Sequence, residues 1–309
     1  MKLSWVTGVN GFIGRHLTAQ ISASGSRVAG IGNIGILPPP SSLERMQFGT
    51  IDYDNLDHLL AVTGLPDVIY HLAGASSVAA SVKEPGEDFR RTVISTGLLL
   101  EWIRRRAPGT RLVLVSSAAV YGNGHSGLIS ETATTSPMSP YGLHKLLIER
   151  EAALYARQYG LAVVTVRLFS AFGPGLKRQL LWDICRLLAA KPSHIQLGGT
   201  GDELRDWIFV SDAARLLIFA SQRASNEAPV VNGGTGVPIC VRDIAETLCW
   251  AWGGNIRVEY TGEVRLGDPQ SLVADIKAVT QWGWHPIADH RNAIKESVEW
   301  CRHQLCSEP

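Results

Sequence analysis

The stretch LSWVTGVNGFIGRHL, residues 3–17, decides the fold expected for this chain. It begins as a short apolar strand, turns through Gly8, Gly11 and Gly14, and continues as a helix. The first glycines allow a tight turn and a close approach of the backbone to a pyrophosphate, and the third lets helix and strand pack. The helix N-terminus adds amide donors and the positive end of its dipole. The stretch therefore predicts a phosphate-binding turn, and its place after the first strand favours dinucleotide binding over a turn without a ligand.

Strand and helix patterns alternate along the first 170 residues. The apolar runs that indicate strands lie near 2–6, 27–31, 67–72, 111–115 and 162–168. The helical patterns between them lie near 12–23, 54–62, 88–106 and 141–159. This alternation is typical of an α/β fold with a doubly wound parallel sheet, in which ligands bind at the carboxyl ends of the strands. After about residue 170 the pattern loosens, and a second, smaller lobe is expected.

A second motif, Tyr-Gly-Leu-His-Lys at 141–145, indicates proton-transfer chemistry. Positions i and i+4 share a helix face, so Lys145 lies beside Tyr141 and its charge favours the phenolate. Tyr141 can then exchange a proton with a carbonyl or hydroxyl oxygen, while Ser117 hydrogen-bonds the same oxygen. Such an arrangement suits hydride transfer to or from a nicotinamide. This spacing alone is more often a surface pair, and the glycine-rich turn is what favours the catalytic interpretation.

The composition indicates an ordinary globular chain of one or two domains. It has 309 residues, 45% apolar content and a formal net charge of +1, which gives no sign of nucleic-acid binding. The first strand is too short to be a signal peptide, and no apolar stretch reaches membrane-spanning length, so a cytoplasmic location without membrane contact is expected. The five cysteines show no metal-ligand or redox spacing, so no metal site is expected.

Seven motifs occur in a fixed order along the chain. They are TGVNGFIG at 7–14, HLAG at 71–74, SSAAVYG at 116–122, SPYGLHK at 139–145, RLFSAFGPG at 167–175, RDWIFVSD at 205–212 and RLGD at 265–268. Together they resemble the extended short-chain dehydrogenases/reductases, and more narrowly the NAD(P)-dependent nucleotide-sugar epimerases, dehydratases and 4-ketoreductases. The resemblance implies a Rossmann domain over 1–170, with its sheet completed by about 207–232, and a nucleotide-sugar substrate lobe over 171–309. It also implies a homodimer built on the helices at 88–106 and 141–159.

The resemblance assigns a role to each candidate site residue. The catalytic residues that it implies are Ser117, Tyr141 and Lys145. The cofactor-binding residues that it implies are Gly8, Asn10, Gly11, Phe12, Ile13, Gly14, Asn33, Asp52, Tyr53, Leu72, Ala73, Gly74, Tyr141 and Lys145. The residues that it implies for the sugar or the nucleotide diphosphate are Ser76, Ser117, Ser170, Arg205 and Arg265. Gln179 could add to diphosphate binding, and an exposed loop-to-helix junction is the alternative for it.

Several of these roles have alternatives. Arg205 and Arg265 match a basic pair on the diphosphate, where a planar guanidinium suits paired phosphate oxygens, but two surface salt bridges are the alternative. Asp52 either contacts adenine or caps the helix that follows it. The chain also departs from the family pattern, because Ser170 replaces an asparagine, Phe172 replaces a tyrosine and Thr92 replaces a further asparagine.

The end of the second strand bears on the choice of cofactor. NAD-specific members usually carry an acidic residue there, whereas this chain has Gly32 and Asn33. The 2′-phosphate of NADP would then meet no repulsion, and Arg15 could pair with it, although an exposed helix residue is the alternative. NADP(H) is therefore the expected cofactor, with NAD(H) as the alternative.

The residues after Ser117 narrow the reaction. Ala118 and Ala119 stand where the 4,6-dehydratases carry an acidic pair, so dehydration is disfavoured. Two reactions remain, namely reduction of the C4 keto group of a nucleotide-linked 4-keto-6-deoxyhexose and C4 epimerisation. Because a reductase exchanges its cofactor at every turnover, the expected NADP favours the reductase, and an NAD-dependent C4 epimerase is the alternative. A cofactor sensor without activity commonly loses the tyrosine or the lysine, and both are present here, so a sensor is disfavoured. A ketoreductase of non-nucleotide substrates needs no diphosphate clamp, and Arg205 and Arg265 argue against it.

Overall fold

The computed structural model describes residues 2–33, 39–254, 256–263 and 269–306, so that Arg265 lies outside the described residues. The chain divides into two compact units. The first comprises the residues up to Gly122, Glu131–Leu168 and Ala214–Gly233. The second comprises Asn123–Ser130, Phe169–Ala213 and the residues from Gly234 onward.

Strands and helices alternate through most of the described chain. The strands are β1 (Leu3–Thr7), β2 (Arg27–Gly32), β3 (Arg45–Phe48), β4 (Val68–His71), β5 (Arg111–Ser117), β6 (Leu128–Ile129), β7 (Ala162–Leu168), β8 (Ser170–Phe172), β9 (His194–Leu197), β10 (Leu204–Phe209), β11 (Val230–Gly233), β12 (Pro238–Cys240), β13 (Arg257–Tyr260) and β14 (Ser271–Ala274). The α-helices are α1 (Phe12–Ala23), α2 (Tyr53–Thr63), α3 (Val78–Lys83), α4 (Pro85–Phe89), α5 (Ser95–Arg106), α6 (Pro140–Tyr159), α7 (Gln179–Ala189), α8 (Val210–Ala220), α9 (Val241–Trp252), α10 (Lys277–Gln281) and α11 (His290–Cys306).

The first unit is built on a seven-stranded sheet in the order β11-β7-β5-β4-β1-β2-β3. Each pair of neighbouring strands in it is parallel. Every residue of β1 and β4 is buried, as expected for a parallel sheet that helices flank. Trp5 of β1 packs against Trp102 of α5 with ring centroids 5.4 Å apart, and both are fully buried. The doubly wound parallel sheet predicted from the alternating pattern is confirmed.

Two local features differ from the sequence prediction. The helix expected over 88–106 is interrupted by a π-helical turn at Arg90–Ile94 between α4 and α5. The hydroxyl of Thr96, at the start of α5, donates to the carbonyl oxygen of Thr92 within this turn at 2.6 Å. Such side-chain bonds compete with regular helix geometry. The edge strand β3 was not expected, because its sequence Arg-Met-Gln-Phe has no apolar run and none of its residues is fully buried.

The second unit contains two small sheets and a helical layer. One sheet has the order β12-β10-β14-β6, with β8 pairing with β10, and the other pairs β13 with β9. Asp206 of β10 is fully buried and accepts hydrogen bonds from the backbone amides of Thr235 at 2.6 Å and Gly236 at 2.8 Å. Burial raises the pKa of Asp206, and these backbone donors counteract the rise. None of the described helices is long and apolar enough to cross a membrane.

Candidate active site

The glycine-rich turn between β1 and α1 has no room for side chains. Gly8 has a φ of 69°, and a Cβ atom there would lie 2.9 Å from the backbone nitrogen of Ala73. A Cβ atom on Gly14 would collide with the carbonyl oxygen of Gly8. The amide of Gly11 donates to the same carbonyl oxygen at 2.9 Å and closes the turn. The backbone is therefore bare at this end of β1, as a close approach to a phosphate requires.

The N-terminus of α1 keeps its amide donors available. Gly11 is the N-cap, so no side chain caps the helix, and its first turn carries no acidic residue. Phe12 and Ile13 are the first helical residues, and their amides belong to the set that no carbonyl group of the helix can satisfy. Together with the helix dipole, these amides suit an anion. The turn thus fits the pyrophosphate of a dinucleotide.

Polar side chains surround the turn on the β2 side. The amide nitrogen Nδ2 of Asn10 donates to the carbonyl oxygen of Asn33 at 2.8 Å and ties the turn to the end of β2. Arg15 donates from Nε to the carbonyl oxygen of Asn10 at 3.3 Å. Asp52 accepts a hydrogen bond from the amide of Asn55 at 2.8 Å and is the N-cap of α2, the helix that begins at Tyr53. The contacts of Asp52 in the structure are therefore those of a helix N-cap.

The HLAG segment lies beside the glycine-rich turn. The amide of Ala73 donates to Oγ1 of Thr7 at 3.1 Å, and Leu72 precedes it at the end of β4. His71 is 1% exposed and lies between the hydroxyls of Thr7 at 2.8 Å and Thr96 at 2.9 Å. Burial, assisted by the charge of Lys145, lowers the pKa of His71 to about 3, so its ring is neutral at physiological pH.

The segment continues into a loop that packs on the π-helical turn. Gly74 has a φ of 135°, in the region that favours glycine. The buried hydroxyl of Thr92 accepts a hydrogen bond from the amide of Ala75 at 3.0 Å. Thr92 therefore secures this loop although it replaces the asparagine of the family pattern. Ser76 follows as an exposed residue ahead of α3.

The three candidate catalytic residues lie together at the carboxyl end of β5. Ser117 ends this strand, and its hydroxyl accepts a hydrogen bond from the amide of Ala119 at 3.2 Å. Lys145 donates from Nζ to the carbonyl oxygen of Val115 at 3.0 Å, and Nζ lies 5.8 Å from the centre of the Tyr141 ring. The amide of Tyr141 donates to the hydroxyl of Ser81 at 3.0 Å, which fixes the start of α6 against α3. The first unit thus brings the serine, the tyrosine and the lysine of the motifs into one cluster.

The side chain of Lys145 is buried. The residue is 4% exposed, and burial lowers the pKa of Lys145 to about 8. The charges of Asp88 and Glu149 oppose this decrease. A pKa of about 8 leaves Lys145 mostly protonated at pH 7, with the charged Nζ 5.8 Å from the centre of the Tyr141 ring. A buried cation beside a tyrosine is an arrangement that suits proton transfer by the tyrosine.

A buried polar network, which motif analysis missed, lies under the catalytic cluster. Glu149 stands one helical turn after Lys145 and accepts a hydrogen bond from the hydroxyl of Ser116. Arg167 of β7 donates to Glu149 at 2.7 Å and to the hydroxyl of Tyr121 at 3.0 Å. Tyr121 in turn donates to Asn232 of β11 at 2.6 Å. The signal in the sequence was an acidic residue four positions after Lys145, but its partners lie on other strands.

The candidate substrate residues of the second unit lie on β8, β10 and α7. Ser170 of β8 is in register with Trp207 of β10. Arg205 lies on β10 two residues earlier, and its Nη1 donates to the carbonyl oxygen of Leu204 at 2.9 Å. Gln179 is the first residue of α7 and has a φ of 67°, an uncommon value for a residue with a side chain. Ser170 and Arg205 thus share a sheet.

Phe172 occupies the position of the family tyrosine and is a packing residue here. It is 1% exposed and contacts Trp207 at a ring-centroid distance of 6.3 Å and His290 at 5.5 Å. Without a hydroxyl it requires no hydrogen-bond partner in this apolar cluster. A tyrosine at this place would bury its hydroxyl.

Comparisons with known proteins agree with the motifs. The model of the NAD dependent epimerase/dehydratase family matches residues 5–234. The UDP-glucose 4-epimerase of Halalkalibacterium halodurans is 30% identical over 302 residues, which cover 91% of this chain and 90% of that protein. The structure of MoeE5 in complex with UDP-glucose and NAD superimposes with a TM-score of 0.86 at 31% identity, covering 98% of this chain and 99% of that one.

A third similar protein is the UDP-glucose 4-epimerase of Thermotoga maritima, solved with UDP-glucose. Its structure gives a TM-score of 0.88 at 26% identity and covers 98% of this chain and 99% of that one. The family match spans more than half of the chain and contains six of the seven motifs, so the family predicted from them is confirmed. The chain belongs to the NAD-dependent epimerase/dehydratase family and is an enzyme of the extended short-chain dehydrogenase/reductase type.

Proposed function

We propose that this protein is an NAD-dependent epimerase that inverts C4 of a UDP-sugar. The observation that carries the proposal is the cluster of Ser117, Tyr141 and Lys145 at the end of β5, in a chain whose similar proteins include UDP-glucose 4-epimerases. Reduction of a 4-keto sugar, which the sequence favoured, requires the same cluster. No such reductase is among these similar proteins, so the epimerase is the better supported function.

NAD is the cofactor that we propose. The bare turn at Gly8 and Gly14 and the uncapped N-terminus of α1 fit a dinucleotide, and the similar MoeE5 structure contains NAD. The expected preference for NADP rested on the missing acidic residue near Asn33 and on Arg15. In the structure Arg15 is directed toward the carbonyl oxygen of Asn10, and no comparison supports NADP. Asn33, Asp52 and Tyr53 remain proposed contacts of the adenosine half.

The mechanism follows from the side chains of the cluster. When bound, NAD supplies a hydride acceptor for oxidation at C4 and then the hydride donor for its reversal. Tyr141, as the phenolate, accepts the proton of the C4 hydroxyl while the C4–H bond breaks, so that the sugar becomes a 4-ketone. The protonated Tyr141 gives the proton back to the C4 oxygen when hydride returns to the opposite face of the carbonyl. Ser117 donates a hydrogen bond to this oxygen, and Lys145 stabilises the phenolate.

Elimination has no support from this site. A dehydration would need a further acid and base beside Ser117, and Ala118 and Ala119 occupy those positions. Both side chains are single methyl groups that can neither accept nor donate a proton. We therefore propose epimerisation without loss of water.

We propose that the diphosphate binds to the second unit through Arg205, together with Ser170 and Gln179, and with Arg265, which lies outside the described residues. Ser76 of the first unit stays a proposed contact of the substrate. The guanidinium of Arg205 suits paired phosphate oxygens. Arg205→Ala should therefore raise the KM for the UDP-sugar at least tenfold, the effect of losing about 1.4 kcal/mol of binding, and should change kcat little. An unchanged KM would exclude Arg205 from the diphosphate site.

We also propose that the enzyme is a homodimer. Apolar side chains between 37% and 47% exposed lie on α6 and on the segment from α4 to α5, namely Phe89, Ile94, Leu143, Leu147 and Leu154. The three leucines share one face of α6 because Leu147 and Leu154 follow Leu143 by four and eleven residues. Exposed apolar faces of this kind mark protein contacts. Light scattering at micromolar concentration should give twice the mass of the chain, and a monomeric mass would refute the dimer.

The proposed function is tested by two measurements on the purified protein. Denaturation followed by mass spectrometry should release NAD in stoichiometric amount, because an epimerase keeps its cofactor between the two half-reactions. Incubation with UDP-glucose, without an added reductant, should yield UDP-galactose to equilibrium, and UDP-glucuronate and UDP-N-acetylglucosamine are tested in the same way. Failure to convert any of the three, combined with NADPH oxidation on a nucleotide-linked 4-keto-6-deoxyhexose, would establish the reductase instead.

A further inference from the structure

A buried histidine that precedes Lys145 on α6 contacts a buried carboxylate of α4. His144 of α6 is 7% exposed, and Asp88 of α4 is 4% exposed. Nδ1 of His144 lies 2.5 Å from Oδ1 of Asp88. Phe89 packs edge-on against the imidazole, with ring centroids 5.3 Å apart. The mechanism proposed above uses neither Asp88 nor His144, so this buried pair has no role yet.

The second oxygen of Asp88 indicates what the carboxylate does. Oδ2 is buried, and no donor within the described residues forms a hydrogen bond with it. A buried carboxylate oxygen without a protein donor is costly unless a cation stabilises it. The residue after His144 is the cationic Lys145. Among the charges that oppose the decrease in the pKa of Lys145, Asp88 has the largest effect.

The other titratable groups around Lys145 have different partners. Glu149 also raises the pKa of Lys145, but Arg167 binds its carboxylate at 2.7 Å and balances its charge. His71 of β4 has a pKa of about 3 and is neutral. Tyr141 is the group that Lys145 is proposed to activate. Asp88 is thus a buried carboxylate on α4, which packs against the helix of Lys145, and no arginine binds it among the contacts described here.

We propose that Asp88 is a positioning residue whose carboxylate, oriented by His144, keeps Lys145 in the charged form that proton transfer by Tyr141 requires. The inference rests on the proposed function, because it assumes that Lys145 acts on Tyr141. The proposed role requires no contact of the carboxylate with substrate or cofactor. Its effect is carried entirely by the charge state of Lys145.

An NMR titration of Lys145 tests the inference without any turnover. The full-length protein is labelled at Cε of lysine, and the Lys145 resonance is assigned by its loss in Lys145→Arg. Asp88→Asn preserves the size of the side chain and removes its charge, so Lys145 should titrate at a pH lower by about one unit. Glu87→Gln is the matched control, because Glu87 is the exposed neighbour on α4 and pairs with Arg90 at 2.8 Å. It should leave the titration of Lys145 unchanged.

A second variant separates charge from packing. His144→Gln disturbs the same contact but leaves the charge of Asp88 in place, so the titration of Lys145 should not move to lower pH. An unchanged titration in Asp88→Asn, or an equal decrease in His144→Gln, would overturn the inference. If Asp88→Asn does not fold, Asp88→Ser, whose side chain is smaller and neutral, is held to the same criteria.

Turnover provides a second readout. With a pKa of about 8, half of Lys145 is charged at pH 8, and a decrease of one unit leaves about one tenth charged. The kcat of Asp88→Asn should therefore be about fivefold below that of the wild type at pH 8 and should be almost restored at pH 6. A loss that is equal at both pH values would overturn the electrostatic role. A wild type without epimerase activity would refute the proposed function, whereas the NMR titration would still decide the role of Asp88.

Discussion

Replacing Glu149 with alanine should destabilise the protein strongly, because it leaves Arg167 buried without its counter-charge. The two side chains are 5% and 7% exposed. Arg167 donates to both carboxylate oxygens, at 2.7 Å and 3.0 Å. Breaking a buried pair by removing one partner costs about 3–5 kcal/mol. The hydroxyl of Tyr121 and the carbonyl oxygen of Glu131 would still bind Arg167, so we expect a value near the lower limit, about 3 kcal/mol.

Urea-induced unfolding, followed by circular dichroism, measures this change in the free energy of unfolding. The matched control is Glu44→Ala, which breaks an ion pair of the same length, 2.7 Å, between the half-exposed side chains of Arg27 and Glu44. An exposed pair contributes little, so the control should unfold almost like the wild type. The double variant Glu149→Leu with Arg167→Met removes both charges and should regain part of the loss. If Glu149→Ala costs no more than Glu44→Ala, the argument from burial is wrong.

Three further predictions concern the site. Tyr141→Phe should lower kcat by about 10²–10⁴-fold and leave bound NAD unchanged, and a near-normal rate would remove Tyr141 from the mechanism. Gly14→Ala should abolish NAD retention because its Cβ atom would collide with the carbonyl oxygen of Gly8. The control Gly109→Ala should retain NAD because its Cβ atom would have no neighbour within 4 Å. Mass spectrometry of the released nucleotide measures both. Burial lowers the pKa of Lys145 from 10.5 in the unfolded chain to about 8 in the folded protein, so the unfolded chain binds more protons between these two pH values. The contribution of Lys145 to the free energy of unfolding is therefore complete above pH 10.5 and is lost as the pH falls through 8. The free energy of unfolding of Lys145→Met relative to the wild type should therefore be higher at pH 7 than at pH 10, and no difference between these pH values in urea titrations would contradict the assigned pKa.

The sequence predicted those parts of the site that are local in the chain. The spacing of Gly8, Gly11 and Gly14 defines the turn because each glycine is needed by contacts within a few residues or with the neighbouring strand end. Tyr141 and Lys145 share a helix face for the same local reason. These motifs carry their geometry in their spacing, and the family could be named from them.

The parts that the sequence did not predict depend on partners far apart in the chain. Asp88 and His144 are separated by 56 residues, and their contact exists only once α4 packs on α6. The pairing of Glu149 with Arg167 likewise requires α6 to lie against β7. Neither acidic residue is marked in the sequence as buried, because acidic residues in helices are mostly exposed. Burial, which gives both residues their effect on Lys145, is a property of the tertiary structure.

The expectation of NADP has no support from the similar proteins, and the MoeE5 structure contains NAD. It was drawn from the absence of an acidic residue at Gly32 and Asn33, but an absent repulsion supplies no binding energy. A 2′-phosphate also needs a cation directed at it. Arg15 was the candidate, and its Nε donates to the carbonyl oxygen of Asn10. Whether a side chain near a strand end is directed toward a ligand is decided by such backbone contacts, which a motif does not encode.

The end of β5 provides the contacts that position α6 and the candidate catalytic residues. Three consecutive residues there engage α6 or the site: the carbonyl oxygen of Val115 binds Lys145, the hydroxyl of Ser116 binds Glu149, and Ser117 is the proposed catalytic hydroxyl. On α6 the partners recur every four residues and so share one face. A displacement of α6 along β5 would break both contacts together and would also separate Tyr141 from Ser117. The two contacts between α6 and β5 therefore fix the relative position of Tyr141 and Ser117, the residues that are proposed to reach the same oxygen of the sugar.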